Sequence, residues 1–539
     1  MQNKNKNNIG VNSSINIEGN IKDDELIDMH ATTAKRGILY SLGEITSSII
    51  TLILLIILTR YLQPTDFGIY SIAVAFAAFI GTAGNFGIGT AFRKFIPQIE
   101  GDTKKINRLL SNGYFVALLL SFILMIVGII ISEPIARYVY NNQNIAIFLI
   151  IASIIQFFTV LFNLSKAALT SLGKIKEAVI GHITYSSVQL ITVVSLILLG
   201  YGIFGALIGF VISLITGSLI YLFYFFFKIK LKIVKPVKQE ISKLTKFSMP
   251  VFTSNIALLG IQNFSILILG FFIAPALLGN YSAAYRLSRF IEILVQSLSF
   301  ILLSAYAKFA IDKKIQNYKN MNRTYNGSIY YTFLILLPIS VYIISAINPI
   351  VFTLISKAYT EVPFYATIMI IGILMSIIGV YAGNLLLSYD RVKSFMKYQL
   401  IYTLIQFAML ILFVPLYGVV GALYSLFIIA PLIFIIMYIY VLKKELNIVH
   451  KQNKLIRLII TSIIVFAILI AASSLFNYSK ITILTNLIIA IIIYPPLLAL
   501  TKSVTRSNLN FFNKVGKISK MLKLIINPLI NYLEIFIKE

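Results

Sequence analysis

Long apolar runs recur along this 539-residue chain and constrain its fold more than any other feature. Many of them continue for about 18–25 residues, the length at which an α-helix crosses roughly 30 Å of hydrocarbon. Runs such as Ile49 to Leu58 lack the alternation that marks the strands of a membrane β-barrel. Because lipid offers no partner to backbone N–H and C=O groups, we predict an all-α polytopic membrane protein with about fourteen transmembrane helices.

Composition agrees with this prediction. Hydrophobic residues make up 58% of the chain and charged residues 12%, whereas a soluble domain is nearer half and one quarter. The predicted spans lie near residues 38–59, 67–91, 112–132, 145–169, 178–199, 203–227, 248–273, 280–307, 326–347, 364–388, 398–414, 418–442, 455–476 and 481–500.

The distribution of basic residues predicts the topology. With the N-terminus placed inside, 40 of the 46 lysines and arginines fall in inner segments and four in outer loops. Cytoplasmic loops carry such an excess, so we predict a multi-pass protein of the cytoplasmic membrane with both termini cytoplasmic. The net charge of +27 is then assigned to the anionic inner leaflet rather than to nucleic acid.

The two ends of the chain differ from the spans. Residues 1–37 are rich in Asn, Lys and Ser and are predicted to form a disordered cytoplasmic tail. Residues 501–539 alternate apolar and lysine positions with helical spacing, which predicts a basic amphipathic tail on the inner leaflet.

An internal repeat divides the chain. Three pairs of motifs recur in the same order at offsets of 211 to 217 residues. Each unit holds six spans, an even number, so the two copies are related by an axis along the membrane normal, as in the parallel repeats of transporters. The paired motifs begin at Pro64 and Pro275, at Leu169 and Leu386, and at Tyr201 and Tyr417. We predict an N-lobe (38–227), a basic cytoplasmic linker (228–247), a C-lobe (248–442) and two extra helices (443–500).

Several helix-end motifs resemble those of the polysaccharide-unit flippases, a family of the multidrug/oligosaccharidyl-lipid/polysaccharide exporter superfamily. They are Arg60-Tyr-Leu-Gln-Pro-Thr-Asp-Phe-Gly-Ile-Tyr-Ser71, Asn85-Phe-Gly-Ile-Gly-Thr-Ala-Phe-Arg93, Ala168-Leu-Thr-Ser-Leu-Gly-Lys174 and Phe247-Ser-Met-Pro250. The resemblance implies movement of a lipid-linked oligosaccharide from the inner to the outer leaflet by alternating access. It also implies a groove for the lipid tail beside the two extra helices, and glycosyltransferases or a polymerase of the same pathway as partners.

Three ionisable residues of the eighth span are candidates for the substrate head group. Arg286, Arg289 and Glu292 follow one another at intervals of three, which predicts that they lie along one side of a helix. Ionisable residues within membrane helices are costly and by default functional candidates, and the arginine fork matches phosphate oxygens. We expect the arginines to meet a phosphate or pyrophosphate while Glu292 balances their charge. A structural Arg–Glu pair, or arginines that extend to the outer headgroups, are the alternatives.

Other polar residues within spans are weaker candidates. Glu44 is a candidate for cation or proton coupling, with ordinary solvation near the inner interface as the alternative. Amide side chains suit sugar hydroxyls, although interhelical hydrogen bonding explains them equally well. The cavity candidates of this kind are Asn85, Gln262, Asn263 and Asn384.

Missing motifs exclude several activities. The chain has no cysteine, and its three histidines, read as polar loop or interfacial residues, lack metal-ligand spacing. No phosphate-binding loop or hydrolase motif is present. We therefore expect a transporter without cofactor, metal or catalytic residues. The alternatives are a small-molecule or drug exporter of the same superfamily and, from another class, a membrane-embedded polymerase or glycosyltransferase.

Overall fold

The computed structural model describes residues 23–99, 101–311, 315–389, 391–449, 453–475 and 480–506, with 508–509, 528, 531–532 and 534–536. Side chains are described from Leu39 onward, with gaps that include 254–262 and 300–320. The helices are α1 (Asp23–Tyr61), α2 (Pro64–Asn85), α3 (Ile88–Phe95), α4 (Thr103–Pro134), α5 (Ala146–Ser171), α6 (Ile175–Leu198), α7 (Gly202–Phe223), α8 (Lys238–Phe272), α9 (Pro275–Ile311), α10 (Ile315–Ser345), α11 (Ile347–Ile350), α12 (Val362–Ser388), α13 (Val392–Tyr424), α14 (Ala430–Leu446), α15 (Asn453–Leu475) and α16 (Ile481–Leu500).

The predicted all-α membrane fold is confirmed. Each predicted span falls on helical segments, and the described residues contain 11 helical segments that are long and apolar enough to cross a membrane. The predicted second span, 67–91, runs too far, because α2 ends at Asn85 and the positive φ of Phe86 and Gly87 separates it from α3. One of these segments, Lys393–Leu446, contains two predicted spans. They meet at Gly418, whose φ of 56° breaks the helix and requires a residue without a Cβ.

Two predicted domain boundaries were wrong. The predicted disordered tail reaches residue 37, but α1 already begins at Asp23, because extending an existing helix carries no new nucleation cost. The predicted linker reaches residue 247, but α8 begins at Lys238. The remaining extended segment is attached to α4, since Asn112 Oδ1 accepts from the Val237 amide at 2.9 Å. Most of the predicted C-terminal amphipathic helix lies outside the described residues.

The helices form two lobes that share α8 as a common neighbour. Within the first lobe α1 packs on α6, and α5 contacts α2, α4 and α7. In the second lobe α12 contacts α9, α10 and α14, while α8 contacts both α2 and α13. The two extra helices α15 and α16 pack on α10, where Tyr342 donates to the Ile483 carbonyl and Asn486 donates to Ser345.

The first repeated motif packs against its own copy. A Cβ added to Gly68 of α2 would lie 2.0 Å from the Pro275 carbonyl oxygen, and one added to Gly279 of α9 would lie 1.9 Å from the Pro64 carbonyl oxygen. The contact is reciprocal, as expected where two copies of one motif meet at a twofold axis. The glycines are therefore needed for the close approach of the two lobes at these helix ends.

A set of hydrogen bonds, which we call the interlobe clasp (Arg60, Leu62, Leu354 and Tyr359), lies beside this crossing. Arg60 Nε donates to the Leu354 carbonyl at 2.8 Å, and the Tyr359 hydroxyl donates to the Leu62 carbonyl at 2.9 Å. The buried core of the first lobe continues into the second lobe here, with Tyr359 among its fully buried residues. The lobes are therefore closed against each other at the end where α1 finishes and α9 begins.

Candidate functional site

A cavity of about 650 Å³ lies between the lobes. One face of α1 lines it from Tyr40 to Leu58, a distance of about 27 Å at 1.5 Å per residue. Residues of α2, α6, α7, α8 and α9 complete the wall. The cavity therefore follows most of the roughly 30 Å thickness of a bilayer core.

The cavity wall is rich in neutral hydrogen-bonding groups. Eleven lining residues carry a hydroxyl, and Gln189, Asn263 and Gln296 supply amides. Four of the hydroxyls are buried without a hydrogen-bond partner among the described residues: Ser47, Ser71, Ser282 and Tyr285. Ser71 and Ser282 occupy equivalent positions in the repeated motif. Such groups can exchange hydrogen bonds with a hydroxylated ligand, because unpaired buried donors and acceptors are costly.

Arg286 and Arg289 both line this cavity on the α9 side. The Arg286 guanidinium carbon lies 5.4 Å from the Phe67 ring centroid and 5.2 Å from that of Tyr70, both on α2. Arg289 is exposed. Neither arginine belongs to an ion pair among the described residues, whose pairs join other groups. The two positive charges are therefore available to an anion in the cavity.

Glu292 does not line the main cavity with the two arginines but lines a second, smaller cavity of about 150 Å³ within the second lobe. Its Oε1 accepts from Gln296 Nε2 at 3.0 Å. The separation follows from helix geometry: at 3.6 residues per turn, a step of three rotates by about −60°, so Arg286 and Glu292 differ by about 120°. Interval-three spacing brings neighbours together but does not keep a third residue on the same face.

Glu44 forms an ion-pair cluster on the N-lobe side of the main cavity. Lys166 Nζ donates to Glu44 Oε1 at 2.6 Å, and His182 Nδ1 lies 3.2 Å from the same oxygen. Lys166 Nζ also lies 3.2 Å from His182 Nδ1 and 5.5 Å from the Tyr40 ring centroid. Glu44 and His182 line the cavity, so a charged network faces the ligand space near one end of α1.

The amide candidates are dispersed. Asn263 lines the main cavity, whereas the Gln262 side chain lies outside the described residues. Asn384 donates to Ser299 Oγ and lines neither cavity. Asn85 stands at the end of α2, where its buried Oδ1 has no hydrogen-bond partner among the described residues. The structure thus brings Arg286, Arg289, Glu44 and Asn263 into one cavity, whereas Glu292, Asn85 and Asn384 do not line it.

Two residues of this site were missed from the sequence. Lys166 is not among the candidates predicted from the sequence, although it lies within α5 and its side chain is only 14% exposed. His182 was interpreted as a loop or interfacial residue, although it lies in α6 and its ring stacks on Tyr185 with an interplanar angle of 4°. Their position inside apolar spans was the available signal, because intramembrane ionisable groups usually pair with one another.

Sequence comparisons find proteins that are similar to part of this chain. A sequence profile of the family described as "Polysaccharide biosynthesis protein" matches residues 57–363. The multidrug export protein MepA of Staphylococcus aureus is 23% identical over 239 residues, which cover 41% of this chain and 51% of that protein. The chain therefore spans about half the length of this relative.

Solved structures share the fold over most of the chain. The lipid II flippase MurJ, in an inward closed conformation, superposes with a TM-score of 0.70 at 19% identity, covering 86% of this chain and 98% of MurJ. An inward-facing multidrug resistance MATE family transporter of the MOP superfamily superposes with a TM-score of 0.59 at 16% identity, covering 74% and 96%. At these identities the likeness concerns the fold alone.

Proposed function

The chain belongs to the polysaccharide biosynthesis protein family, and on that premise we propose that it flips a lipid-linked oligosaccharide from the cytoplasmic to the outer leaflet. The proposal includes alternating access between the two lobes and a topology with both termini cytoplasmic. The observation that carries it is the interlobe cavity with Arg286 and Arg289 on its wall. A phosphate-linked substrate needs fixed cations, and guanidinium groups bind phosphate oxygens through paired hydrogen bonds.

The remaining wall suits the sugar part of such a substrate. Hydroxyls and amides outnumber charged side chains in the cavity, and Glu44 is already paired with Lys166. Neutral donors and acceptors of this kind suit sugar hydroxyls, which form hydrogen bonds and carry no charge. Glu44 and its partners are proposed to couple ion movement to transport. The helices α15 and α16, packed on α10, are proposed to border the lipid tail.

Reconstituted vesicles test the proposal. Vesicles that contain the protein and a fluorescent polyprenyl-diphosphate oligosaccharide should transfer the label between leaflets without ATP, measured by chemical quenching of the outer leaflet. Losing one charge-assisted hydrogen bond costs about 1.5–3 kcal/mol, so Arg286→Gln and Arg289→Gln should each slow transfer by about ten- to a hundred-fold. The matched control is Arg137→Gln, which removes an exposed arginine stacked on Tyr138 outside the cavity. Equal transfer by all three variants would contradict the proposal.

A drug exporter of the same superfamily is the second candidate, and the match to MepA favours it. The two candidates differ in the charge of their substrates, since the cavity arginines repel organic cations and attract phosphates. Ethidium efflux from cells that express the chain, unaffected by Arg286→Gln, together with no transfer of the lipid-linked sugar, would favour the exporter.

A further inference from the structure

Arg286 is held across the boundary between the lobes. The arginine belongs to α9, whereas Phe67 and Tyr70, whose rings lie 5.4 and 5.2 Å from its guanidinium carbon, belong to α2. Cation–π contacts use the face of the aromatic ring and do not occupy the N–H donors of a guanidinium. The two rings can therefore fix the position of Arg286 while leaving its donors for an anion in the cavity.

The same aromatic group belongs to the closed end of the lobes. The fully buried Phe67 ring meets Tyr359 edge to face, with ring centroids 6.2 Å apart and planes at 77°. Tyr359 is a member of the interlobe clasp through its hydrogen bond to the Leu62 carbonyl. On α2, Phe67 directly precedes Gly68, which makes the close crossing with α9. Opening this end of the molecule must move α2 away from α9 and so remove both rings from Arg286.

We infer that Phe67 and Tyr70 are positioning residues for Arg286, and that the phosphate site is complete only while the interlobe clasp is closed. This inference rests on the proposed function, because it assigns Arg286 to an anionic head group. It provides a release mechanism, because separation of the lobes at the clasp moves the two rings of α2 away from Arg286 as the substrate reaches the other leaflet. By thermodynamic reciprocity, an anion that binds the closed state more tightly also favours closure.

The size of the coupling follows from the ring contacts. Cation–π interactions are stronger at desolvated sites than at exposed ones, and both Phe67 and Tyr70 are buried. Loss of the Tyr70 ring should therefore weaken anion binding by about five- to thirty-fold, which corresponds to about 1–2 kcal/mol at 1.4 kcal/mol per tenfold change. Saturating anion should raise the ratio of closed to open clasp by the same factor.

The absence of cysteine in the sequence makes a direct test possible. Spin labels on Tyr61→Cys and Lys357→Cys mark the two lobes beside the clasp, and both positions are exposed. Double electron–electron resonance with and without saturating inorganic pyrophosphate should show a loss of the longer distances on binding. The shift should shrink in Tyr70→Leu, which removes one of the two rings, and remain at its full size in Tyr70→Phe, which keeps both.

Calorimetric titration with pyrophosphate separates the possible failures. Tyr70→Leu should weaken binding five- to thirty-fold, while Tyr70→Phe stays within about twofold. A Tyr70→Leu protein that binds pyrophosphate as the parent does, a distance distribution that ignores bound pyrophosphate, or a shift toward longer distances overturns the inference and leaves the proposed function standing. If Arg286→Gln and Arg289→Gln both bind pyrophosphate unchanged, the phosphate role in the proposed function fails, and the inference fails with it.

Discussion

The reciprocal glycine crossing provides the sharpest test of how the lobes meet. Gly68→Ala would place a methyl carbon 2.0 Å from the Pro275 carbonyl oxygen, whereas ordinary van der Waals contact begins at 3.4 Å. The obstacle is backbone rather than a flexible side chain, so α2 and α9 must separate by more than about 1 Å to admit the methyl group. Overpacking of this kind costs about 1–3 kcal/mol, and here it destabilises the state in which the clasp is closed.

Two assays check this magnitude. The thermal midpoint in detergent should fall for Gly68→Ala, and spin labels beside the clasp should report longer distances. Gly81→Ala is the matched control on the same helix, because its Cβ would meet nothing closer than 3.7 Å. Gly327→Ala in α10, with nothing within 4 Å, should be neutral or stabilising by about 0.5–1 kcal/mol through helix propensity.

The double variant distinguishes one shared crossing from two separate sites. Once Gly68→Ala has moved the helices apart, Gly279→Ala should add little, because neighbouring substitutions that relieve the same clash are not additive. A Gly68→Ala protein with the thermal midpoint and distances of Gly81→Ala would refute the reasoning. So would costs at positions 68 and 279 that simply add.

Three further outcomes are expected. Glu44→Gln should destabilise the protein by about 1–3 kcal/mol because it removes the anionic partner of the Lys166 ammonium. The double variant with Lys166→Met should recover part of that loss in thermal unfolding, and a double variant no better than the single would argue against the pair. Tyr359→Phe should cost about 1 kcal/mol and lengthen the distances across the clasp, a result that unchanged distances would rule out. Asn112→Ala removes a fully buried side chain bonded to the linker and should lower the free energy of unfolding by about 1–3 kcal/mol. Arg108→Gln should lower it by less than about 1 kcal/mol, because its ion pair is solvent-exposed. Equal unfolding midpoints for the two variants would contradict this ranking.

The sequence by itself determined that the chain is built of membrane helices and where along the chain most of them lie. The thickness of the bilayer acts on each segment separately, so a run of apolar residues is sufficient evidence for a helix of that length. The repeat could also be read directly, because Pro64 and Pro275 begin matching motifs. Helix ends were less accurate where a span continues into polar sequence, as at α1 and α8, since backbone hydrogen bonding does not stop at the membrane surface.

Only the tertiary structure decided which charged groups meet. Lys166 and Glu44 are separated by 122 residues, and Arg286 reaches the rings of α2 from the other lobe. Such pairs depend on how helices are rotated and packed, which local spacing does not specify. The same rotation turns Glu292 toward the second cavity and away from Arg286. The spans follow from the bilayer, which constrains each segment separately. The site follows from long-range packing, because the cavity exists only where the two lobes meet.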